Sequence, residues 1–304
     1  MKDHLVKAVA DGVRVYAAVT TDLVNEAIRR HGCHPVAAAA LGRTMTGALL
    51  LAANLKNREA LTVTFDGHGP LGKVTADATP EGFVRGYVTN PYVDLPQNAK
   101  GKIDVGGGVG TDGTVTVTRF TGLRNPVTGS APLMDGEIAD DLTKYLYVSE
   151  QTPSSVGLGV LIGHAGEEMA CIGAGGFIIQ PMPDATDETI DKLEANLKKV
   201  NSVSHMVEHG LDAKGIIAEL LQGFAVDYLT TTELAFRCPC SKERISEVLL
   251  SLGKSDLESL IEDGHAEVCC HFCNERYQFS KEELQAIYDT VSYTHLRAHE
   301  TTLH

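Results

Sequence analysis

Length, composition and charge set the first limits on this chain. Its 304 residues favour two structural units, and its 43% hydrophobic and 22% charged residues are typical of a soluble globular protein. The formal net charge of −14 argues against sequence-independent binding to a phosphate backbone, so nucleic acid is not an expected partner.

The N-terminal region has no pattern typical of a secreted or membrane protein. Residues 1–19 lack an unbroken apolar run before a small-residue cleavage site. The longest apolar stretch, residues 35–55, is interrupted by Arg43, Thr44 and Thr46, which indicates a buried helix rather than a membrane span. We therefore expect a cytoplasmic protein without a membrane partner, whose seven cysteines begin as thiols.

Residues 1–180 are predicted to form a mixed sheet-and-helix domain of the α+β class. Alternating patterns predict strands, and the short turns between them predict antiparallel pairing; the strands are 61–65, 72–78, 83–89 and 114–120. Helices are predicted at 36–55 and 136–151, followed by a hairpin-like pair of apolar segments that ends near Gln180.

Residues 181–233 are predicted to form a helical linker. Two prolines end the preceding strand, and Thr186 is a plausible start of a helix. Apolar residues then recur at steps of roughly three and four; they are Ile190, Leu193, Leu197, Val200 and Met206. A second helix is expected at 213–225.

Residues 234–290 form the third predicted segment, which holds five of the seven cysteines and helices at 243–252 and 281–289. A unit this short buries little apolar surface, so it needs an additional staple. Residues 291–304 carry three histidines and no apolar periodicity. We interpret them as a non-native tail.

The cysteine spacing indicates a metal site. Cys238 and Cys240 form C-x-C, Cys270 and Cys273 form C-x-x-C, and 29 residues separate the pairs. Two close pairs of thiolates match a tetrahedral Zn²⁺ site, which predicts one zinc per chain. Basic neighbours are expected to offset its negative charge; they are Arg237, Lys242, Arg244 and Arg276.

Two interpretations of this site remain open at the level of the cysteines. An inert zinc ribbon is the common use of four cysteines. However, ribbon knuckles use C-x₂₋₄-C, whereas the C-x-C step of Cys238 and Cys240 puts both sulfurs on one side of an extended segment. A disulfide within such a short loop is a labile type, so these thiols could also be meant to oxidise.

The remaining three cysteines lie in different sequence surroundings. Cys269 adds a third thiol beside the C-x-x-C pair, and it is either a spare ligand or a competitor for disulfides. Cys33 and Cys171 lie in apolar or glycine-rich surroundings, which favours buried, inert thiols.

Three other motifs resemble parts of enzyme active sites. His205, Glu208 and His209 fit the H-x-x-E-H pattern of a zinc metallohydrolase, but no third ligand is evident. The run VGGGVG at 105–110 resembles a phosphate loop, yet a strand follows it, so a flexible hairpin is expected. The segment EQTPSS at 150–155 lacks nucleophile-elbow glycines, so a serine hydrolase is not supported.

Nearly the whole chain to about residue 290 resembles the 33 kDa chaperonin family of redox-regulated heat-shock chaperones. The resemblance rests on the four-cysteine pattern and on three long motifs in the same order; these are GPLGKVTADATPEGFVRGYVTNP, YLYVSEQTPSSVGLGVLI and AGGFIIQPMPDA.

The resemblance implies a chaperone rather than an enzyme. It implies that Cys238, Cys240, Cys270 and Cys273 bind zinc in an inactive reduced form and form the disulfides Cys238–Cys240 and Cys270–Cys273 on oxidation. Zinc release would then unfold the C-terminal region and the linker. The activated protein, usually a homodimer, would hold unfolding client proteins without ATP. A metallohydrolase using His205, Glu208 and His209 and a zinc-ribbon nucleic-acid adaptor remain the alternatives.

Overall fold

The structure, a computed structural model, describes residues 2–56, 58–200 and 202–300, and for 291–300 it describes the backbone alone. The chain forms two compact units, Met1–Arg237 and Cys238–His304. Each unit has its own hydrophobic core. The predicted α+β class is confirmed.

The first unit contains two sheets and seven helices in its described residues. Its strands are β1 His4–Ala10, β2 Val13–Val19, β3 Ala60–Asp66, β4 Val74–Ala78, β5 Phe83–Val88, β6 Thr114–Phe120, β7 Val127–Pro132, β8 Ser155–Ala165, β9 Glu168–Pro181, β10 Asp227–Glu233 and β11 Ala235–Phe236. Its helices are α1 Thr21–His31, α2 Pro35–Ala52, α3 Val105–Val109, α4 Ala139–Val148, α5 Asp187–Leu197, α6 Val203–Glu208 and α7 Ala213–Leu220.

One sheet has the order β10-β1-β2-β9-β8, and the other has the order β11-β5-β4-β3-β6-β7. The four predicted strands lie in the second sheet, where β4 pairs antiparallel with both β3 and β5. Strand β3 alternates between buried and half-buried residues, with Leu61, Val63 and Phe65 in the core. The period-2 pattern of the sequence therefore matches the burial along this strand.

Helix α2 forms the centre of the first unit. It contacts β3, β4 and β5 of one sheet and β2, β8 and β9 of the other. By length and composition it could cross a membrane, but 89% of its residues are buried inside the protein. The prediction of a buried helix is confirmed, because a helix that is apolar all round can be covered by two sheets.

The glycine run at 105–110 is not the hairpin that we expect from its sequence. Residues Val105–Val109 form the short helix α3, and the side chain of Asp104 accepts a hydrogen bond from the backbone N–H of Gly107. This cap stabilises the first turn and outweighs the low helix propensity of glycine.

The segment predicted as a linker packs on the first sheet. Leu193 of α5, Met206 of α6 and Ile216 of α7 share a core with β1, β2 and β9. The apolar stripe does not form one helix, since α5 ends at Leu197 and α6 begins at Val203. The segment also ends in a strand, β10, which pairs antiparallel with β1.

The second unit contains a helical pair, a β-hairpin and a final helix. They are α8 Lys242–Leu250, α9 Lys254–Asp263, β12 His265–Cys269, β13 Arg276–Ser280 and α10 Lys281–Glu300. The predicted helices at 243–252 and 281–289 are present, whereas α9 and the hairpin did not emerge from the sequence. Of the predicted tail 291–304, the backbone of 291–300 continues α10, and 301–304 lie outside the described residues.

Candidate metal centre

Two short segments of the second unit hold the clustered cysteines. Cys238 and Cys240 lie just before α8, whose N-cap Ser241 accepts a hydrogen bond from the backbone N–H of Arg244. Cys270 and Cys273 lie in the tight turn between β12 and β13. The cap and the hairpin register therefore fix where each pair of sulfurs points.

The turn that carries Cys270 and Cys273 is closed by backbone hydrogen bonds. The N–H of Cys270 donates to the carbonyl of Glu275 at 2.8 Å, and the N–H of Asn274 donates to the carbonyl of Cys270 at 2.8 Å. Asn274 has a positive φ of 57°, which asparagine tolerates better than most residues. The result is a knuckle that presents two sulfurs on one side.

The four sulfurs of Cys238, Cys240, Cys270 and Cys273 lie within 4.8 Å of one another. Two contacts join the two segments, with 3.7 Å between the sulfurs of Cys238 and Cys270 and 3.3 Å between those of Cys240 and Cys273. Four sulfurs bound at about 2.3 Å around a tetrahedral zinc lie about 3.8 Å apart. The cluster therefore fits a four-sulfur metal site, and the C-x-C step directs both of its sulfurs into it.

Burial acts on the protonation of two of these thiols. Desolvation raises the pKa of the Cys240 thiol, although a hydrogen bond from the Tyr277 hydroxyl at 3.1 Å lowers it. Desolvation likewise raises the pKa of Cys273. In the metal-free protein these thiols are therefore protonated at neutral pH, and binding of a cation must displace their protons.

Comparison with known proteins shows the family of this chain. The family model described as Hsp33 protein matches residues 3–280. The chain belongs to the Hsp33 family. The 33 kDa chaperonin of Bacillus subtilis is 51% identical over 95% of this chain and 99% of that protein. The 33 kDa chaperonin of Staphylococcus carnosus is 46% identical over 96% of this chain and 99% of that protein.

A solved structure matches the fold as well. The crystal structure of the 33 kDa chaperonin from Thermotoga maritima superimposes with a TM-score of 0.87 at 35% identity, covering 94% of this chain and 98% of that chain. Together with the named relatives, this match supports Hsp33-type chaperone function for this chain.

The four basic residues expected to offset the negative charge of the cysteine site also contact other groups in this Hsp33 protein. Lys242 pairs with Glu283 at 2.6 Å, and Arg276 pairs with Glu267 at 2.7 Å. Arg237 lies over the ring of Phe83 in the first unit. Arg244 contacts the C-x-C segment, where it donates to the carbonyl of Pro239 at 3.0 Å. Carboxylates and an aromatic ring therefore bind three of these cations, so the sulfur cluster is not their only partner.

Cys269 differs from its four neighbours because it is exposed. Its thiol donates to the side-chain oxygen of Asn274 at 3.1 Å. Alternation along β12 explains the exposure, since Ala266 is buried whereas Glu267 and Cys269 point to solvent. The fifth thiol therefore stands beside the four-sulfur cluster but outside it.

Cys33 and Cys171 are buried, each with 3% of its surface exposed. Burial raises the pKa of each thiol to about 12. A thiol of such high pKa is a poor nucleophile at neutral pH. The prediction that these two cysteines are inert agrees with their surroundings.

The H-x-x-E-H motif forms no metal site in the described part of the chain. His205 Nδ1 lies 3.0 Å from a Glu208 oxygen, and His209 Nδ1 lies 2.7 Å from the carbonyl of His205. The side chains of the motif therefore bond to one another and to the backbone at the C-terminal end of α6. Among the described residues, only the four cysteines form a group of three or more potential metal ligands.

Tyr277 is the site residue that the sequence did not reveal. It lies on β13, and its hydroxyl reaches Cys240 across the cluster. Its position seven residues after Cys270 carries no recognisable signal, because the contact depends on how the hairpin faces the segment before α8.

Proposed function

We propose that this protein is a redox-regulated, ATP-independent holdase that prevents aggregation of unfolding proteins under oxidative stress. The observation that carries the proposal is the convergence of four sulfurs from two segments of a small unit. Its core contains few fully buried residues, namely Leu249, Leu257, Ala266, Phe279 and Leu284. A unit of this size depends on what ties its segments together.

In the reduced state, Cys238, Cys240, Cys270 and Cys273 would hold one zinc ion per chain. Bound Zn²⁺ would keep the four sulfurs deprotonated and ordered, and its binding free energy, about 10 to 16 kcal/mol in small modules, would add to the folding of the unit. The reduced form is then folded and inactive, with the linker segment packed on the first sheet.

Oxidation converts the ligands into two disulfides. Cys238 pairs with Cys240, and Cys270 pairs with Cys273. In each pair two thiolates lose two electrons to one peroxide, which takes up two protons from the solvent and is reduced to two waters as the S–S bond forms. A sulfur in a disulfide is no longer a thiolate ligand, so all four ligands are withdrawn and the stabilisation by metal is lost.

Unfolding of the second unit and of the linker would expose client-binding surface. The linker helices cover one face of the first sheet, where Val13, Val15 and Ile179 are buried against Leu193 and Met206. Their release uncovers apolar area on both the helices and the sheet. Exposed apolar patches of this kind bind unfolded chains.

The same proposal includes the location, the oligomeric state and the partners of the protein. We infer that the active form is a cytoplasmic homodimer that acts on unfolded or partly folded proteins, without enzymatic turnover. A net charge of −14 makes nucleic acid an unsuitable partner, and no membrane contact is required.

The test combines zinc release, thiol counting and an aggregation assay on the full chain. Peroxide with mild heat should release one zinc per chain and lower the free thiols from seven to three, since four of the seven cysteines form disulfides. The oxidised protein should then suppress aggregation of an unfolding client. Unchanged zinc content, or oxidised protein that fails to suppress aggregation, would contradict the proposal.

A pair of serine variants provides the matched control. Cys240→Ser removes a cluster sulfur, and we expect it to abolish stable zinc binding. Cys269→Ser removes the exposed thiol just outside the cluster, and we expect full zinc content and the same two disulfides by mass spectrometry of peptides. Loss of zinc from Cys269→Ser would instead make Cys269 a ligand.

A further inference from the structure

A polar cavity in the first unit is unrelated to the cysteine cluster. Its volume is about 320 Å³, and it lies where β2, β6 and β9 meet the ends of α2 and α4. Its polar lining consists mainly of Arg14, Tyr16, Asn54, Arg119, Glu150 and Gln180. Cavities of this size hold small molecules.

Arg119 contributes one cation to the cavity, and its hydrogen bonding is incomplete. Its guanidinium pairs with Glu150 at 2.7 Å, while Glu150 also accepts a hydrogen bond from the Tyr145 hydroxyl at 2.5 Å. The Nε–H of Arg119 is buried and has no hydrogen-bond partner. A buried, unpaired donor is costly, so the pair with Glu150 does not satisfy this guanidinium fully.

Arg14 contributes the second cation. Its Nε donates to the side-chain oxygen of Gln180 at 2.8 Å. Gln180 is buried and donates in turn to Ser154 at 2.8 Å, which fixes the orientation of its amide. Within the described residues, the two terminal amino groups of Arg14 have no hydrogen-bond partner, so both groups remain as donors for a ligand.

Asn54 adds a neutral donor to the same cavity. Its side-chain oxygen accepts a hydrogen bond from the Tyr16 hydroxyl at 2.5 Å, which assigns the amide orientation. The amide nitrogen of Asn54 therefore points away from this bond and remains a donor, with no partner in the described part of the chain.

The segment EQTPSS at 150–155 builds one wall of this cavity. The backbone N–H of Thr152 donates to the carbonyl of Leu146 at 2.9 Å, and the Ser154 hydroxyl donates to the carbonyl of Thr152 at 3.0 Å. Gln151 adopts a positive φ of 53°, a strained value for a residue with a side chain. The turn holds Glu150 against Arg119 and Ser154 against Gln180. This gives the EQTPSS segment, which lies outside the cysteine site, a structural role in the cavity.

The charges in the cavity favour an anion. Two guanidinium groups face a single carboxylate, so the lining carries an excess of one positive charge in a protein of net charge −14. Arginine side chains bind carboxylate and phosphate oxygens with paired hydrogen bonds.

We propose that this cavity, defined by Arg14, Asn54 and Arg119, binds a small oxyanion carrying a carboxylate or a phosphate group. The oxyanion accepts hydrogen bonds from the two arginines and from the Asn54 amide. Glu150 limits the affinity because its negative charge already pairs with Arg119.

The test is calorimetric titration of the reduced, zinc-loaded full chain with two probes, inorganic phosphate and malonate, at constant ionic strength. We expect saturable binding of at least one probe. Phosphate binding alone would assign a phosphate-bearing ligand, and malonate binding alone would assign a carboxylate. No saturable binding of either probe would overturn the proposal.

Three charge variants make the test specific. Arg14→Gln should weaken binding about tenfold or more, since it removes a charged donor. Glu150→Gln should strengthen binding, because it removes the competing carboxylate from Arg119. Arg124→Gln changes the charge in the same direction as Arg14→Gln at an exposed residue outside the cavity, and it should leave the affinity unchanged.

Equal affinities of Arg14→Gln and Arg124→Gln would overturn the proposal, since binding would then depend on net charge alone. Circular dichroism identifies any variant that does not fold. Arg14→Lys provides a second measurement at the same residue: it keeps the charge but loses the two-pronged donor geometry, so its affinity should fall between those of the wild-type protein and Arg14→Gln.

Discussion

At the scale of single residues, Tyr277 shows how a side chain that is not a ligand can influence the metal centre. Its hydroxyl donates to Cys240, one of the four clustered sulfurs. A hydrogen bond to sulfur orients the ligand and stabilises its negative charge. Sequence motifs record ligands and omit such supporting groups, which belong to a neighbouring strand.

We expect Tyr277→Phe to weaken zinc binding about tenfold, the lower end of the effect of losing a supporting hydrogen bond. The measurement is competition with a chromogenic zinc chelator at neutral pH. Tyr288→Phe is the matched control in the same unit, because the Tyr288 hydroxyl donates to Glu258 and not to a cysteine. Equal affinities of the two variants would show that the Tyr277 hydroxyl does not support the site.

The buried carboxyl group of Asp3 makes the stability of the protein depend on pH. Its carboxylate is buried at the start of α1, where it accepts hydrogen bonds from the N–H groups of Asp22 and Leu23. Burial outweighs these bonds and raises the pKa of Asp3 from 3.8 to about 6. Because the folded protein binds this proton more tightly than the unfolded chain, the contribution is complete below about pH 4 and is lost as the pH rises through 6.

We therefore expect the wild-type protein to gain about 1 kcal/mol of stability, relative to Asp3→Asn, when the pH falls from 7 to 5. The measurement is urea unfolding of both zinc-loaded proteins at the two pH values. Parallel pH dependence of the two proteins would contradict this assignment.

At the scale of elements, the side chain of Asn196 joins α5 to the end of α7. The amide nitrogen of Asn196 donates to the carbonyls of Leu220 at 3.2 Å and Gln222 at 2.9 Å. Asn196 is buried, so loss of its amide leaves two carbonyls without this partner. The linker segment is held by this polar contact as well as by its apolar face.

We expect Asn196→Ala to destabilise the packing of the linker by about 1 to 3 kcal/mol. Amide hydrogen exchange in α5 and α7 should become faster, and less oxidant should be needed to activate the protein. Glu194→Ala on the exposed face of the same helix is the control. Unchanged exchange in Asn196→Ala would show that the Asn196 amide does not hold the linker.

Elements with a clear period could be predicted from the sequence, and elements defined by tertiary pairing could not. Helix α2 and strand β3 carry strong apolar patterns that their burial explains. Strand β10 is almost entirely exposed, so its sequence has no pattern, and only pairing with β1 makes it a strand. Helix α9 was missed because Leu257 is its only fully buried residue.

The same distinction applies to the site. The spacing of Cys238, Cys240, Cys270 and Cys273 predicted which sulfurs meet. It did not predict that Cys238 lies against Cys270 and Cys240 against Cys273, nor that Lys242 and Arg276 pair with carboxylates. Those features depend on the hairpin and on α10, whose positions are set by packing.

At the scale of the whole molecule, the two compact units differ in how they are stabilised. The first unit surrounds α2 with two sheets, whereas the second has a small core beside its sulfur cluster. Loss of the metal should therefore affect the units unequally.

We expect removal of zinc from the reduced protein by a strong chelator to abolish hydrogen-exchange protection in residues 238–290. Protection in α2 and β3 should persist, because their core is independent of the cluster. Exchange measured by mass spectrometry distinguishes the two units peptide by peptide. Full protection of 238–290 in zinc-free protein would show that the unit folds without metal, and re-addition of zinc provides the control for reversibility.

Strand β10 has a further consequence for how clients are held. It is the outermost strand beside β1, yet it belongs to the segment that would open on activation. Its departure would leave β1 as a bare sheet edge, with a row of unpaired backbone N–H and C=O groups. Such an edge pairs with any extended chain through its backbone, whatever its side chains. The opened protein would thus offer clients a template for strand addition, which suits a chaperone that must accept unrelated sequences.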